Sequence, residues 1–214
     1  MKEFDLNYLS KSIKLIAGCD EAGRGPLAGP VVAAAVIFPN DFYYEGINDS
    51  KKLSRNEREE LFPVIIKNAS SFAVTSISHR KIDKINILNA SLLAMSTSIE
   101  RLKIQPDIIL VDGNKSFQYS VPVFPIVKGD AKSFTIAAAS IIAKVVRDRI
   151  MNRLDEYYPE YKWKMNKGYP TKKHLEAIKL FGETPLHRKT FLRKFYEREN
   201  LFAESRRDDW FVSL

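Results

Sequence analysis

Apolar residues come along this chain in short bursts, and the spacing within each burst points to an element. Residues 15–20 and 30–38 are two compact apolar runs separated by a bend rich in glycine from Gly23 to Gly29. That arrangement predicts paired strands joined by a turn of unusual backbone geometry. Ser54 followed by Glu57 has the form of a capping box and predicts a helix to about Asn68. Residues 71–77 alternate apolar and polar, the period of a half-buried strand, whereas residues 82–103 repeat at helical spacing. Residues 107–112 (DIILVD) read as a buried strand ending in a carboxylate, and the segment with Pro122 and Pro125 reads as a loop leading to Gly129 and Asp130. A third long helix is predicted over residues 133–154, and Thr171 caps a further helix that Gly182 ends.

Early strands alternating with helices predict an α/β class with a mixed sheet. Beyond about residue 158 the pattern is helical, basic and without strands. The expected organisation is therefore a catalytic-sized domain over 1–158 and a helical extension over 159–214. At 214 residues, 45% of them hydrophobic and 28% charged, the chain can bury a sizeable core. The longest apolar run, residues 31–38, is far short of a membrane span. The first 30 residues show no signal-peptide pattern, so a soluble cytoplasmic protein is expected. Cys19 is the single cysteine and there are three histidines, which excludes a disulfide framework and leaves too few soft ligands for structural zinc.

Charge changes the picture more than composition does. The net charge is +8, and residues 162–198 alone carry eleven Lys and Arg against three Glu, the whole of the excess. The stretch is interleaved with Tyr161, Trp163, Tyr169, Phe191, Phe195 and Tyr196, and aromatics suit bases and sugars as well as a core. A polyanionic partner is expected. Against this basic end stand acidic residues at places a core would not choose: Asp20 and Glu21 after the first strand, Asp112 at the end of DIILVD, and Asp130 before the third helix. Ligands gather at the carboxyl ends of strands in α/β sheets, so Asp20 and Asp112 can converge there. Crowded carboxylates repel unless a cation neutralises them, and Mg²⁺ or Mn²⁺ suits an all-oxygen set. Cys19, on the opposite strand face from Asp20, reads as a core residue.

Gly23-Arg24-Gly25 follows the acidic pair, and within CDEAGRGPLAGPVVAAAV it resembles the first signature of the ribonuclease HII family. NDSKKLS at residues 48–54, which contains Lys51, is similar to the second motif. VDGN at 111–114 is similar to the third, and KGDAKSFTIAAASIIAKVVRDR at 128–149 to the fourth. KGYPT at 167–171 and TPLHRKTF at 184–191 resemble the C-terminal motifs. Only about the first and last dozen residues lack a family counterpart. The related ribonuclease HIII family typically carries Gly-Lys-Gly and an added N-terminal domain, and the arginine here favours HII.

The resemblance implies a ribonuclease H-like fold, a five-stranded mixed sheet flanked by helices. It implies an endoribonuclease that hydrolyses the RNA strand of RNA/DNA hybrids and cuts 5′ of ribonucleotides embedded in duplex DNA. Two divalent ions, Mn²⁺ or Mg²⁺, would support in-line attack of water, leaving a 3′-hydroxyl and a 5′-phosphate. Asp20, Glu21, Asp112 and Asp130 match the family's metal-binding catalytic carboxylates. Gly23, Arg24 and Gly25 match the loop that reads the ribose 2′-hydroxyl, and Tyr169 the tyrosine that packs on the adjoining deoxyribose. Lys51 is a further expected substrate contact. Ser133, Ser140, Lys144 and Arg147 recur at helical steps, and Ser140 and Lys144 are expected to touch substrate phosphate. The chain is expected to act as a monomer, and the apolar end Trp210-Phe211-Val212-Ser213-Leu214 is a candidate sliding-clamp contact. The competing readings are another divalent-metal nuclease of this fold and a non-catalytic nucleic-acid-binding module.

Overall fold

The computed structural model describes residues 1–193 and 195–197. Central in it, β1 (Ile16–Ala22) and β2 (Val31–Ile37) pair antiparallel across the glycine-rich bend, with Asp20 opposite Ala34. Every residue of β2 is buried, which explains why its run lacks the alternation of a strand with one wet face. β3 (Ser71–Ile77) adds antiparallel to β2, and β4 (Ile108–Asp112) adds parallel to β1. β5 (Val123–Ile126) completes a five-stranded mixed sheet in the order β3-β2-β1-β4-β5. Its segment reads as a loop in sequence because of its prolines. Pro125 is tolerated because β5 pairs only with β4, so an edge strand loses no ladder bond for want of that N–H.

The helices are α1 (Lys2–Leu6), α2 (Arg55–Asn68), α3 (His79–Glu100), α4 (Phe134–Tyr157), α5 (Trp163–Asn166) and α6 (Lys172–Phe181), and residues 189–193 and 195–197 are also helical. α4 lies across β1 and β2 on one face of the sheet with α2 outside it, and α3 covers the other face. Alternate residues of the central strands supply the two cores. Ala34 and Val36 pack with the first turns of α4, while Ala17, Cys19 and Ala35 pack with Met95 and Ile99 of α3. Cys19 is fully buried on the α3 side, as strand alternation from Asp20 requires. Gly18 makes the contact between β1 and α4 possible: a Cβ there would lie 2.2 Å from the Thr135 carbonyl carbon.

Caps set the helix ends. The Ser54–Glu57 capping box opens α2, Ser133 accepts from the Ile136 N–H at 3.2 Å to open α4, and Thr171 accepts from the His174 N–H to open α6. A second cap for α4 comes from α1, where buried Asp5 accepts from the Thr135 N–H at 2.9 Å. α3 is interrupted: Asn86 takes φ +64°, and its side chain accepts from the Asn89 N–H at 3.0 Å, so it ends one helical stretch and caps the next.

The C-terminal part folds back on the glycine bend. Tyr161, Trp163 and Ile178 pack with Leu27, Ala28 and Met151, and Ala28 bridges to His187. Tyr161 and Trp163, which suit base stacking in sequence terms, are core residues here, whereas Tyr169 is 41% exposed. No helix among the described residues is long and apolar enough to cross a membrane. The apolar end at residues 210–214 lies outside the described residues.

Candidate active site

The register of β1 and β4 places Cys19 beside Val111, so Asp20 and Asp112 stand one step further on as neighbours at the carboxyl ends of parallel strands. Asp112 Oδ1 accepts from the Gly129 N–H at 2.7 Å and more weakly from the Asp130 N–H at 3.4 Å. Lys128, with φ +58°, turns the chain into the short 3₁₀ turn Gly129–Ala131 and so presents those two N–H groups. Asp130, in that turn, is 4% exposed and pairs with Lys51 Nζ at 2.6 Å. Glu21 meets Arg24 at 3.2 Å, and the Glu21 N–H donates to Asp20 Oδ1 at 2.7 Å.

A cleft of about 530 Å³ opens over these groups. Asp20, Glu21 and Asp112 form its floor, and residues 22–25 and Tyr169 form one side. Lys51, Ser140 and Lys144 line it as well, together with Ser50 and Arg58. Asp130 does not line the cleft itself but is reached through Lys51. The tyrosine and the loop touch: a Cβ on Gly25 would lie 3.4 Å from the Tyr169 ring. Ser140 bonds to Ser50 at 2.8 Å, and Lys144 pairs with Asp148 at 2.6 Å. Of the helical stripe read from sequence, Ser133 is a buried cap and Arg147 is 1% exposed beneath the loop, so only Ser140 and Lys144 reach the cleft.

Burial, together with the charges of Glu21 and Asp112, raises the Asp20 carboxyl well above the usual range. Burial raises Glu21 too, against the pull of Arg24, and it raises Asp112 with help from Asp130. The hydrogen bond to Asp130 raises Lys51 despite its partial burial. Such a floor lacks positive charge. Lys51 and Arg24 supply some of it from side chains that are 76% and 53% exposed. Among the described residues no three His, Cys, Asp or Glu side chains are gathered into a closed ligand cluster. The donor chemistry nevertheless fits a hard divalent cation: the set is all oxygen, crowded and short of positive charge.

The model of the family described as Ribonuclease HII matches residues 17–198. The chain belongs to the ribonuclease HII family. The enzyme is thus a ribonuclease H endonuclease acting on nucleic acid, in a family that depends on divalent metal. It is 54% identical over 192 residues to the ribonuclease HII of Acetivibrio thermocellus, covering 90% of this chain and 75% of that one. The Parabacteroides distasonis ribonuclease HII is 56% identical over 179 residues, covering 83% and 90%. The ribonuclease H2 of Pyrococcus horikoshii superposes with a TM-score of 0.71 at 31% identity, covering 86% of this chain and 98% of that one. The Archaeoglobus fulgidus ribonuclease HII, solved as a complex with PCNA, superposes at 0.70 with 30% identity, covering 82% and 94%.

The sequence does not single out Ser50, Arg58 or Arg188 of this ribonuclease HII site, and it shows Arg147 without its role. Ser50 and Arg58 line the cleft, and Arg58 donates to the Ser50 carbonyl at 2.7 Å, which holds the segment before α2 in place. Arg147 and Arg188 lie behind the loop, 1% and 0% exposed. Nothing in the sequence pattern marks Arg58; Arg147 shows only as a member of the helical stripe, with no sign of what it would bond, and Arg188 sits in a basic run that resembles a solvated face.

Proposed function

We propose that this chain cuts on the 5′ side of ribonucleotides embedded in duplex DNA and hydrolyses the RNA strand of RNA/DNA hybrids, leaving a 3′-hydroxyl and a 5′-phosphate. The observation that carries the reading is the meeting of the carboxylate floor, the Gly23–Gly25 loop and Tyr169 in one cleft. Asp20, Glu21, Asp112 and Asp130 would hold two ions, Mg²⁺ or Mn²⁺, which when bound supply Lewis-acid stabilisation of the attacking water and the leaving oxygen.

The remaining work falls to the protein. Backbone groups of Gly23, Arg24 and Gly25 read the 2′-hydroxyl, the group that separates RNA from DNA at a given site. The half-exposed Tyr169 ring packs on the deoxyribose that follows the ribonucleotide, where a ribose would add a hydroxyl the ring face cannot bond. Ser140 and Lys144 engage backbone phosphate from α4, and Lys51, which pairs with Asp130, is a further substrate contact. Residues 1–158 form the catalytic domain and 159–214 the substrate-binding extension, whose basic charge supplies affinity for phosphates. The Archaeoglobus fulgidus relative's complex with PCNA supports a sliding-clamp contact for this chain, with residues 210–214 as the contact.

The test is cleavage of a duplex bearing one ribonucleotide, with and without Mg²⁺ or Mn²⁺, and with both product ends mapped. Metal-dependent incision 5′ of the ribonucleotide is expected. Cleavage of an all-DNA duplex at the same rate would overturn the reading.

A further inference from the structure

Arg188 is a fully buried cation in the C-terminal segment, and every hydrogen bond its guanidinium donates goes to a main-chain carbonyl in or directly after the glycine bend. Its Nε donates to the Gly29 carbonyl at 3.0 Å, and one terminal nitrogen donates to the Arg24 carbonyl at 3.0 Å. The other donates to the carbonyls of Gly23 at 2.7 Å and Pro30 at 3.2 Å. Among the described residues no carboxylate lies within ion-pair distance of it. Burying a guanidinium on carbonyls and the Phe191 ring face, 5.1 Å away, without a carboxylate is costly, so the contact has to secure something other than charge neutralisation.

What it secures follows from peptide geometry. In a trans peptide the C=O and the next N–H point in opposite directions. Anchoring the carbonyls of Gly23 and Arg24 on Arg188 therefore turns the N–H groups of Arg24 and Gly25 the other way. Arg188 lies behind the loop and the cleft lies in front of it, lined by these same residues. Among the described residues no acceptor takes either N–H. Gly23 has φ +100°, and a Cβ there would meet the Arg147 side chain at 2.0 Å, so the loop is confined from that side too. Arg147 bonds the carbonyls of Ala28, Pro30 and Lys167 but not those of Gly23 or Arg24, so the orienting contact belongs to Arg188.

We propose that Arg188 is a positioning residue for ribose recognition, holding two backbone N–H donors aimed into the cleft. The proposal rests on the reading above that this loop recognises the 2′-hydroxyl. Asp83 supports the clasp from α3: its carboxylate accepts from the N–H groups of Lys189 and Thr190, both at 3.0 Å, and from the Thr190 hydroxyl at 2.6 Å.

The experiment compares affinity for a duplex with one ribonucleotide against the same all-DNA duplex, by fluorescence anisotropy in Ca²⁺ with gels confirming that no cleavage occurs. Arg188→Lys keeps the charge but loses the fork. It should lower the ribonucleotide-to-DNA affinity ratio by about tenfold, the factor commanded by one well-formed hydrogen bond. Asp83→Ala, at a half-buried position outside the apolar core, loosens the clasp without opening a core cavity and should lower the ratio in the same direction by less. A purely structural role reduces the folded fraction and both affinities together, leaving the ratio unchanged, and that result in the variants overturns the proposal. If Arg188→Lys does not fold, the Asp83→Ala ratio decides. A wild-type protein with no preference for the ribonucleotide would remove the reading of the loop itself, which the variants cannot mimic.

Discussion

Asp20→Asn should make the metal-free protein more stable while abolishing turnover. Asp20 is 4% exposed and stands beside Asp112 on adjacent parallel strands. Adjacent strands lie about 5 Å apart. At that separation, with an effective dielectric of about 20, two carboxylates repel by about 3 kcal/mol. Side chains that splay apart soften this, and Asn keeps an oxygen for the Glu21 N–H that now donates to Oδ1 at 2.7 Å. A gain of about 2 kcal/mol is therefore expected, which for a chain of this size raises Tm by about 4–8 °C. The pH dependence has a definite sign. Burial and two neighbouring charges raise the Asp20 pKa, so the folded state holds this proton more tightly than the unfolded chain does. Wild-type stability consequently falls as pH rises through that raised pKa, and the advantage of Asn should be large near about pH 8 and shrink toward about pH 4. Thermal melts in EDTA at the two pH values measure both effects, and repeating them with Mn²⁺ should stabilise the wild type more than the variant. A variant that melts at or below the wild type in EDTA near the higher pH, or by an equal margin at both, refutes the argument.

Other perturbations test the remaining parts. His187, 2% exposed, accepts the Thr184 N–H at Nδ1, and burial with the neighbouring His174 lowers its pKa from 6.5 to about 4. The unfolded chain takes up that proton first, so stability should fall by about 3 kcal/mol between about pH 7 and pH 4. Urea midpoints across that range should show a drop that His187→Gln lessens, and an equal drop in both proteins would exclude His187 as its source. Gly18→Ala would place a methyl 2.2 Å from the Thr135 backbone, where no flexible side-chain end can yield. It should cost about 1–3 kcal/mol in chemical denaturation, and an unchanged midpoint would contradict the close packing of β1 on α4. Lys144→Ala should weaken duplex binding and lower its salt slope by about one unit, so an unaltered slope would place Lys144 off the phosphates. Tyr169→Ala should lose about 1–3 kcal/mol of stacking on a single-ribonucleotide duplex and less on a continuous hybrid. Equal losses on both substrates together with a lowered Tm would instead make the tyrosine structural.

Much of the fold was legible because its signals are local. Ser54 with Glu57, Thr171 and Gly182 marked helix ends through bonds spanning a few residues, and the structure places caps at each. The β1, β2, β3 and β4 strands announced themselves by period or by unbroken apolar runs. β5 did not, since Pro125 argues against a strand until the sheet order makes it an edge. Asn86 gave no warning within an otherwise helical pattern, because its break lies in one residue's φ.

The candidate site divides along the same line. Asp20, Glu21, Asp112 and Asp130 stood out as residues in places that a core would reject, and the motifs resembling the family grouped them with the Gly23–Gly25 loop, which by itself is a weak signal. Sequence also placed Ser140 and Lys144 on one helix face with Ser133 and Arg147, because steps of three, four and seven describe a helix surface. They do not say what covers it. Only the tertiary structure could turn Ser133 into a cap, bury Arg147, and bring Arg188 within 2.7 Å of the Gly23 carbonyl, 165 positions earlier in the chain. A residue's backbone preference is written in its neighbours, but the partner of a buried guanidinium is whichever carbonyl the folded chain carries to it.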